Sequence, residues 1–277
     1  MAASRNLVVV SDIHAGCRLA LCPPDGVPLD DGGTYTPSRF QKKMWGMWEE
    51  FWGEFVPSVT RKQPFTVVFN GDAIDGVHHN STTQISHNLA DQSATAYAIL
   101  KPVVEACEGR YYHIRGTEAH VGKSAAEEER LARQLGAIPN DEGQSARYEL
   151  WKDVGGALVH LLHHIGTTGS QAYEATAVHK ELVESFVEAG RWGRRPPDFI
   201  VRSHRHRHIE TSIPTARGKA RAVVTPAFQG KTPFVWKIPG GRLSQPQFGG
   251  IVIRAHEDDN EVYTREKVWT LERSRVE

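Results

Sequence analysis

Four apolar β-type runs in this chain end in side chains that bind metal ions. The runs, with the polar residues that close them, are VVVSDIH (8–14), TVVFNGDAID (66–75), ALVHLLHH (157–164) and FIVRSHRHRH (199–208). Parallel buried strands place their last side chains at one edge of a sheet. Carboxylates and imidazoles gathered there need a cation between them, because buried polar atoms without partners are costly and like charges repel. We therefore expect the four runs to meet at a metal site.

Composition limits the class of protein. The 277 residues suffice for a large core, and 33 Lys plus Arg balance 33 Asp plus Glu, so the whole chain lacks a strongly basic footprint, although a local basic groove is not excluded. The three Cys form no C-x-x-C pair, which argues against a disulfide framework and favours a reduced, cytoplasmic setting. We find no signal-peptide pattern and no run of about 18 apolar residues, so no membrane association is expected.

Strand-like and helix-like segments alternate along most of the chain. The predicted strands are 8–10, 67–69, 111–115, 158–162, 199–201, 223–225, 251–254 and 262–269, and the last three are expected to be antiparallel. The predicted helices are one that follows the loop 22–37, then 89–107, 124–135, and 172–189 with its end at Gly190. This alternation predicts mixed sheets with helices outside them. We expect one domain over 1–277, with a loop-helix insertion at about 17–60.

Three local signals refine the helix predictions. Ser38 with Gln41, and Ser124 with Glu127, have the spacing of capping boxes, which predicts that helices start there. Pro102 predicts a bend or break in the helix over 89–107, because proline cannot donate the helical hydrogen bond.

The polar residues at the strand ends have spacings suited to chelation. Asp12 and His14 lie two residues apart and would share one face of an extended backbone, and His204 and His206 repeat that pattern. Asp72 follows a glycine that permits a sharp turn, and its two oxygens can bridge two cations. Such mixed nitrogen and oxygen donors fit Mn, Fe, Zn or Ni better than Ca or Mg.

The order of these motifs resembles the calcineurin-like metallophosphoesterases. Between Asp12 and His206 the chain has Asp-x-His, Gly-Asp-x-x-Asp, a glycine turn with a later His, a His at a strand end, and His-x-His. The resemblance implies an α/β fold, a four-layer α/β/β/α sandwich of two mixed β-sheets flanked by helices. It also implies two divalent metal ions, for which we expect Mn, with Fe, Zn or Ni as alternatives.

The resemblance also implies which residues bind the two ions. Asp12, His14 and His206 would bind one ion, and His163 and His204 the other. Asp72 would bridge the two. His163 is preferred to its neighbour His164, and Asp75 is expected to orient His14.

One motif departs from the family pattern. Where the family has Gly-Asn-His, this chain has Gly116-Thr117-Glu118-Ala119-His120. In one interpretation, Glu118 replaces the Asn as a metal ligand and His120 acts as the catalytic His at the leaving oxygen. In the other, this half of the site binds its metal weakly.

The expected activity is phosphoester hydrolysis by a water molecule activated between two ions. We expect a phosphodiester substrate, either a nucleotide or a nucleic acid. A phosphomonoesterase and a catalytically weak metal-binding scaffold remain alternatives.

Some further residues are candidates for substrate contact. His78 and His79 follow the second motif closely. Trp45, Trp48 and Trp52 lie on the helix after the first loop, where packing is the favoured role and a stacking wall for a nucleobase is the alternative.

Overall fold

The computed structural model describes residues 5–78, 80–122, 124–166, 170–255 and 262–272. Its strands are β1 (Asn6–Val10), β2 (Val27–Pro28), β3 (Thr34–Tyr35), β4 (Thr66–Asn70), β5 (Tyr111–Ile114), β6 (Ala146–Arg147), β7 (Glu149–Val154), β8 (Ala157–Leu162), β9 (Phe199–Arg202), β10 (Ile209–Thr215), β11 (Gly218–Val224), β12 (Gln247–Ala255) and β13 (Val262–Thr270). Its α-helices are α1 (Arg39–Glu50), α2 (Val56–Thr60), α3 (Leu89–Ala106), α4 (Glu118–Val121), α5 (Ala126–Gln134), α6 (Thr176–Arg191), α7 (Pro233–Lys237) and α8 (Pro239–Leu243).

The strands form two large mixed sheets and one small pair. The first sheet has the order β13-β12-β1-β4-β5-β6, in which β1, β4, β5 and β6 are parallel. The second has the order β10-β11-β9-β8-β7, in which β8, β9 and β11 are parallel. The small pair is β2 with β3. The predicted fold class, two mixed sheets flanked by helices, is confirmed.

The alternation of side chains along β1 shows how the layers are stacked. Leu7 and Val9 belong to an apolar cluster shared with the second sheet. Val8 and Val10 point the other way, into a cluster shared with α1, α3 and α5. The outer face of the second sheet is covered by α6 through Val178. The order of layers is therefore helix, sheet, sheet, helix.

The helix after the first loop starts as predicted. The Ser38 hydroxyl accepts the backbone N–H of Gln41, and the Gln41 side chain accepts the backbone N–H of Ser38, which completes the capping box. From α1 the chain continues through a π-helical turn, Phe51–Phe55, into α2. Trp48 is buried and packs edge-on against Phe228, so this ring contributes to the core.

The second capping box was predicted wrongly. Ala125 precedes α5 and has a left-handed backbone (φ 49°), with no side-chain cap. The unpredicted short helix α4 turns the chain just before this point, at Gly122, where φ is 74°. As a result Glu127 does not reach back to Ser124 and accepts hydrogen bonds from other side chains.

The helix boundaries differ elsewhere as well. The break predicted at Pro102 does not occur, since α3 runs through it. The carbonyl left without a helical donor belongs to the exposed Ala98, where water can reach it. Gly190 lies inside α6 and does not end it.

The strand predicted over 223–225 belongs to β11, which is antiparallel to β10 but parallel to β9. Among the described residues, no helix has the length and hydrophobicity needed to cross a bilayer.

Candidate metal centre

The polar ends of the four apolar runs come together where the carboxyl ends of the strands of both sheets meet. Asp12 and His14 follow β1, and Asp72 follows β4. His163 follows β8, and the loop carrying His204 and His206 follows β9. These strands are parallel within their own sheet, so each sheet delivers its side chains to one edge.

The backbone around these residues is not extended, which corrects the geometry expected from the sequence. Asp12, His14, Asp72, His204 and His206 all have a left-handed backbone, with φ from 41° at His14 to 71° at His204. The loops curl because they bond to one another. For example, the Asp12 N–H donates to the Gly71 carbonyl at 2.9 Å. A left-handed conformation costs a non-glycine residue about 1–2 kcal/mol, and such strain concentrates at functional sites.

One group of donor atoms comprises Asp12, His14 and His206. The His206 Nε2 atom lies 3.3 Å from Asp12 Oδ1 and 3.2 Å from His14 Nε2. The His14 Nε2 atom lies 3.9 Å from Asp12 Oδ1. Three donors this close to one another could hold a single metal ion.

A second group is centred on His163. Its Nδ1–H donates to the Asn70 carbonyl at 2.6 Å, so the Nε2 lone pair is directed elsewhere, and Nε2 lies 3.1 Å from Asp72 Oδ2. Donor atoms of His163, His164 and His204 form another group of metal-binding size. His163 is buried, whereas His164 is exposed and stacks on His204 with ring centroids 4.8 Å apart.

Asp72 lies between the two groups. Its Oδ2 atom is 4.0 Å from His14 Nε2 as well as 3.1 Å from His163 Nε2. Its Oδ1 atom accepts the backbone N–H of Thr117 at 2.7 Å and the Thr117 hydroxyl at 3.2 Å. Thr117 therefore holds the carboxylate in place.

The turn from Gly116 to His120 brings His120, and not Glu118, to the cluster. The His120 Nδ1–H donates to the Asp75 carbonyl at 2.7 Å, and Nε2 lies 4.0 Å from Asp72 Oδ2. His14, Asp72 and His120 form a further group of metal-binding size. Glu118 is exposed at the start of α4 and belongs to none of the donor groups found in the part of the chain that the structure describes.

Asp75 faces His14, with Oδ1 3.5 Å from His14 Nδ1. Its two oxygens accept hydrogen bonds from Gln84 Nε2 at 2.7 Å and Gln229 Nε2 at 3.0 Å. Gln84 lies nine residues after Asp75 and Gln229 lies 154 residues after it, and no motif in the sequence marks either glutamine. His78 lies 3.8 Å from Asp75 Oδ1, and His79 lies outside the described residues.

The electrostatics of the cluster favour positive charge. Burial raises the pKa of Asp12, but His163 and His206 outweigh it and lower that pKa to about 2. Burial also raises the pKa of Asp72, but His163 and other imidazoles hold it well below its usual value. Burial lowers the pKa of His163, yet Asp72 and Asp12 outweigh it and raise that pKa to about 10. The carboxylates therefore stay ionised and attract cations.

Two other imidazoles are held neutral. Burial lowers the pKa of His120 to about 4, and it lowers the pKa of His204 to about 4. A neutral imidazole keeps the lone pair that a metal ligand needs.

The donor set fits divalent metal ions. Asp12 Oδ1 and His163 Nε2 are buried without a hydrogen-bond partner among the described residues, and a bound cation satisfies such atoms. Carboxylate oxygens mixed with imidazole nitrogens suit Mn, Fe, Zn and Ni. The residues present could therefore hold metal ions at this position.

Two glycines allow the loops to approach this closely. A Cβ on Gly116 would lie 2.1 Å from Asp72 Oδ1, and a Cβ on Gly71, where φ is 88°, would lie 2.5 Å from His163 Nδ1. Any larger residue at either position would push a candidate ligand out of place.

No protein-family model and no curated protein matches this chain. Among solved structures, it is similar to a Thermotoga maritima protein determined by NMR, with 13% identity over 96% of this chain and 99% of that one, at a TM-score of 0.35. It is similar to Vacuolar Protein Sorting 29 from Cryptosporidium parvum, with 10% identity over 97% of this chain and 100% of that one, at 0.36. It is also similar to the sulfate thiohydrolase SoxB of Thermus thermophilus, with 12% identity over 98% of this chain and 57% of that one, at 0.41. Similarity this weak does not indicate a function, which has to be inferred from the geometry of the site.

Proposed function

We propose that this chain is a phosphoester hydrolase that uses two divalent metal ions, and that its substrates are phosphodiesters of nucleotides or nucleic acids. The observation that carries the proposal is the convergence of acidic and imidazole side chains from four separate loops. Asp12 Oδ1, for example, lies within 4.0 Å of His163 Nε2 and within 3.3 Å of His206 Nε2.

The proposed ligands divide between the two ions. Asp12, His14 and His206 would hold one, His163 and His204 would hold the other, and both would share the Asp72 carboxylate. Mn suits this set, as do Fe, Zn and Ni. When bound, the two ions supply an activated water as the nucleophile and positive charge that offsets the charge developing on the phosphoryl oxygens.

His120 takes the place of the missing Asn as a donor to the cluster. Its Nδ1–H is committed to the Asp75 carbonyl, so Nε2 carries the lone pair on the side of Asp72. In this tautomer His120 is a ligand or a proton acceptor, and not the acid that the family pattern implies. Thr117 assists by fixing Asp72 through two donors.

Asp75 is a positioning residue in this scheme. Its carboxylate orients His14 through Nδ1, and the amides of Gln84 and Gln229 hold the carboxylate itself. Partners of this kind around a metal ligand fix its tautomer and ring orientation.

The test is to strip the protein of metal, titrate it with Mn²⁺ by calorimetry, and compare hydrolysis of bis-p-nitrophenyl phosphate with that of p-nitrophenyl phosphate. We expect two Mn²⁺ per chain and faster turnover of the diester. A monoester preference would overturn the diester assignment. Absence of both metal binding and turnover would instead make the chain a scaffold of this fold.

A further inference from the structure

We propose that the cavity above the metal centre binds single-stranded nucleic acid on both sides of the scissile phosphate, with an aromatic side chain and a cation at each end. This inference depends on the proposed function and names its substrate class. The cavity has a volume of 1210 Å³. Sites for small ligands measure about 300–1,000 Å³, so this cavity has room for more than one nucleotide.

The strand order puts the two ends of the cavity on opposite sides of the metal centre. The loops that carry the candidate ligands follow β1, β4 and β5 in the first sheet and β8 and β9 in the second, in the middle of each sheet. Tyr148 connects β6 to β7, which lie at one end of the two sheets. Lys231 and Phe234 belong to the connection from β11 to β12, toward the other end.

At the first end, Tyr148 lines the cavity and is 66% exposed. The Arg115 guanidinium lies 4.7 Å from the centre of its ring. Arg115 is anchored by the Ala146 carbonyl, 2.8 Å from Nε, and by Glu129 Oε2, 3.7 Å from Nη2. A large ring held this open beside a cation is costly to leave in water and well suited to a base next to a phosphate.

At the other end, Phe234 lines the cavity and is 44% exposed. Trp236 beside it is 59% exposed, with Lys231 Nζ 4.1 Å from its ring centre. Of these two rings only Phe234 lines the cavity, and an exposed ring in a cavity wall is a candidate contact for an apolar face of a ligand.

Local charge favours a polyanion over an apolar ligand. Lys231 Nζ donates to the Arg242 carbonyl at 2.7 Å, and Arg205 Nη1 donates to the Glu174 carbonyl at 2.7 Å. Hydrogen bonds to carbonyl oxygens do not neutralise these cations, so their charge is available to phosphates. A lipid tail would need apolar walls without cations, whereas rings alternating with cations are typical of single-strand binding. Bases already stacked in a duplex cannot use the rings in this way.

The test measures binding without turnover, by fluorescence anisotropy of a fluorescein-labelled single-stranded oligonucleotide with the EDTA-treated full chain. We expect Tyr148→Leu and Phe234→Leu, which both remove a ring from the cavity wall, each to weaken binding about 5- to 150-fold, the range for loss of one stacked base. Lys231→Gln should make the plot of log affinity against log salt concentration less steep, by about one unit of slope, because one phosphate contact is lost. The matched control is Trp192→Leu, since Trp192 is 70% exposed at the end of α6 and does not line the cavity.

The outcomes separate this inference from the proposed function. Wild-type affinity in both aromatic variants, duplex bound as tightly as single strands, or preference for phospholipid vesicles would each overturn it. Hydrolysis of bis-p-nitrophenyl phosphate without oligonucleotide binding would overturn the inference and leave the proposed function intact. Failure to hydrolyse that diester with Mn²⁺ would overturn the proposed function, while the anisotropy measurement still reports on the cavity.

Discussion

The buried carboxylate of Glu128 accepts a 2.6 Å hydrogen bond from the backbone N–H of Gly116. The same carboxylate accepts the N–H of Ala73 at 3.3 Å, and its Oε1 lies 3.2 Å from His113 Nε2. Ala73 directly follows Asp72, and Gly116 directly precedes Thr117. One side chain in the core therefore ties together two loops of the candidate metal centre.

Removing this carboxylate should destabilise the protein. We expect Glu128→Ala to lower the free energy of unfolding by about 2–4 kcal/mol, since the buried N–H of Ala73 and the half-buried N–H of Gly116 lose their acceptor. Urea unfolding measures the change. Glu127→Ala on the same helix is the matched control, because Glu127 bonds to Arg130 near the surface and to Ser93 only through a long 3.4 Å contact, and it should cost no more than about 1 kcal/mol. Equal effects of the two substitutions would contradict the role given to Glu128.

Asp72→Asn should abolish tight binding of the second ion. Loss of a residue that only orients a metal ligand costs about 10- to 100-fold in metal affinity. Asp72→Asn removes a negative charge that both donor groups face, so we expect the Mn²⁺ affinity to fall by more than that. Hydrolysis of bis-p-nitrophenyl phosphate should fall with it. Calorimetry and initial rates measure the two effects. Asp141→Asn, in an exposed turn, is the control, and an Asp72→Asn protein with normal metal content and rate would exclude the proposed site.

The turn from Gly116 to His120 contains two candidate metal ligands, His120 and Glu118, and each can be substituted separately. His120→Gln should reduce Mn²⁺ affinity about 10-fold or more, because it removes a nitrogen beside Asp72. Glu118→Gln should leave the affinity within about twofold, because Glu118 is exposed outside the donor groups. The reverse ranking in a calorimetric titration would restore Glu118 as the ligand.

The metal-stripped protein should be most stable near pH 6.5. Burial lowers the pKa of His120 and His204 from 6.5 to about 4, so their contribution is present above pH 6.5 and is lost as the pH falls toward 4. For His163, burial lowers the pKa but Asp72 and Asp12 raise it to about 10, so its contribution is full below pH 6.5 and is lost as the pH rises toward 10. Thermal unfolding in EDTA across pH 4–10 measures both limbs.

The alkaline limb of this profile offers a sharper test. His163→Gln should make it shallower, since of the buried imidazoles whose pKa the carboxylates raise, His163 is lost and His14 remains. Added Mn²⁺ should raise the unfolding temperature more at pH 8 than at pH 6, because the ion competes with the proton on the imidazole. A wild-type profile that is flat above pH 6.5 would show that the carboxylates do not surround His163 in solution.

Gly116→Ala should disturb the centre without changing any donor. The new Cβ would lie 2.1 Å from Asp72 Oδ1, so we expect a loss of about 1–3 kcal/mol of stability and weaker Mn²⁺ binding. Gly46→Ala is the control, because Gly46 lies within α1 with open space around it, and alanine there should stabilise by up to about 1 kcal/mol. Normal metal binding by Gly116→Ala would mean that the two loops do not pack as closely as described.

The sequence predicted the strands on which the candidate site depends. An unbroken apolar run such as 8–10 must be buried on both faces, and that fixes β1 in the middle of a sheet. It did not predict β7, β10, α7 or α8, whose composition is mixed and whose conformation depends on the partners they pack against. Those elements carry or adjoin Tyr148 and Phe234, so the sequence predicted the metal-binding residues of the cavity but not its aromatic walls.

The sequence alone determined which residue types gather at the strand ends, because strand direction and apolar burial are local properties of the chain. Only the tertiary structure decided how they meet. It gave Asp12 and His206 left-handed backbones in place of extended ones, and it brought His120 rather than Glu118 toward Asp72. These choices depend on hydrogen bonds between loops distant in sequence, such as that from Thr117 to Asp72. No local pattern encodes such bonds.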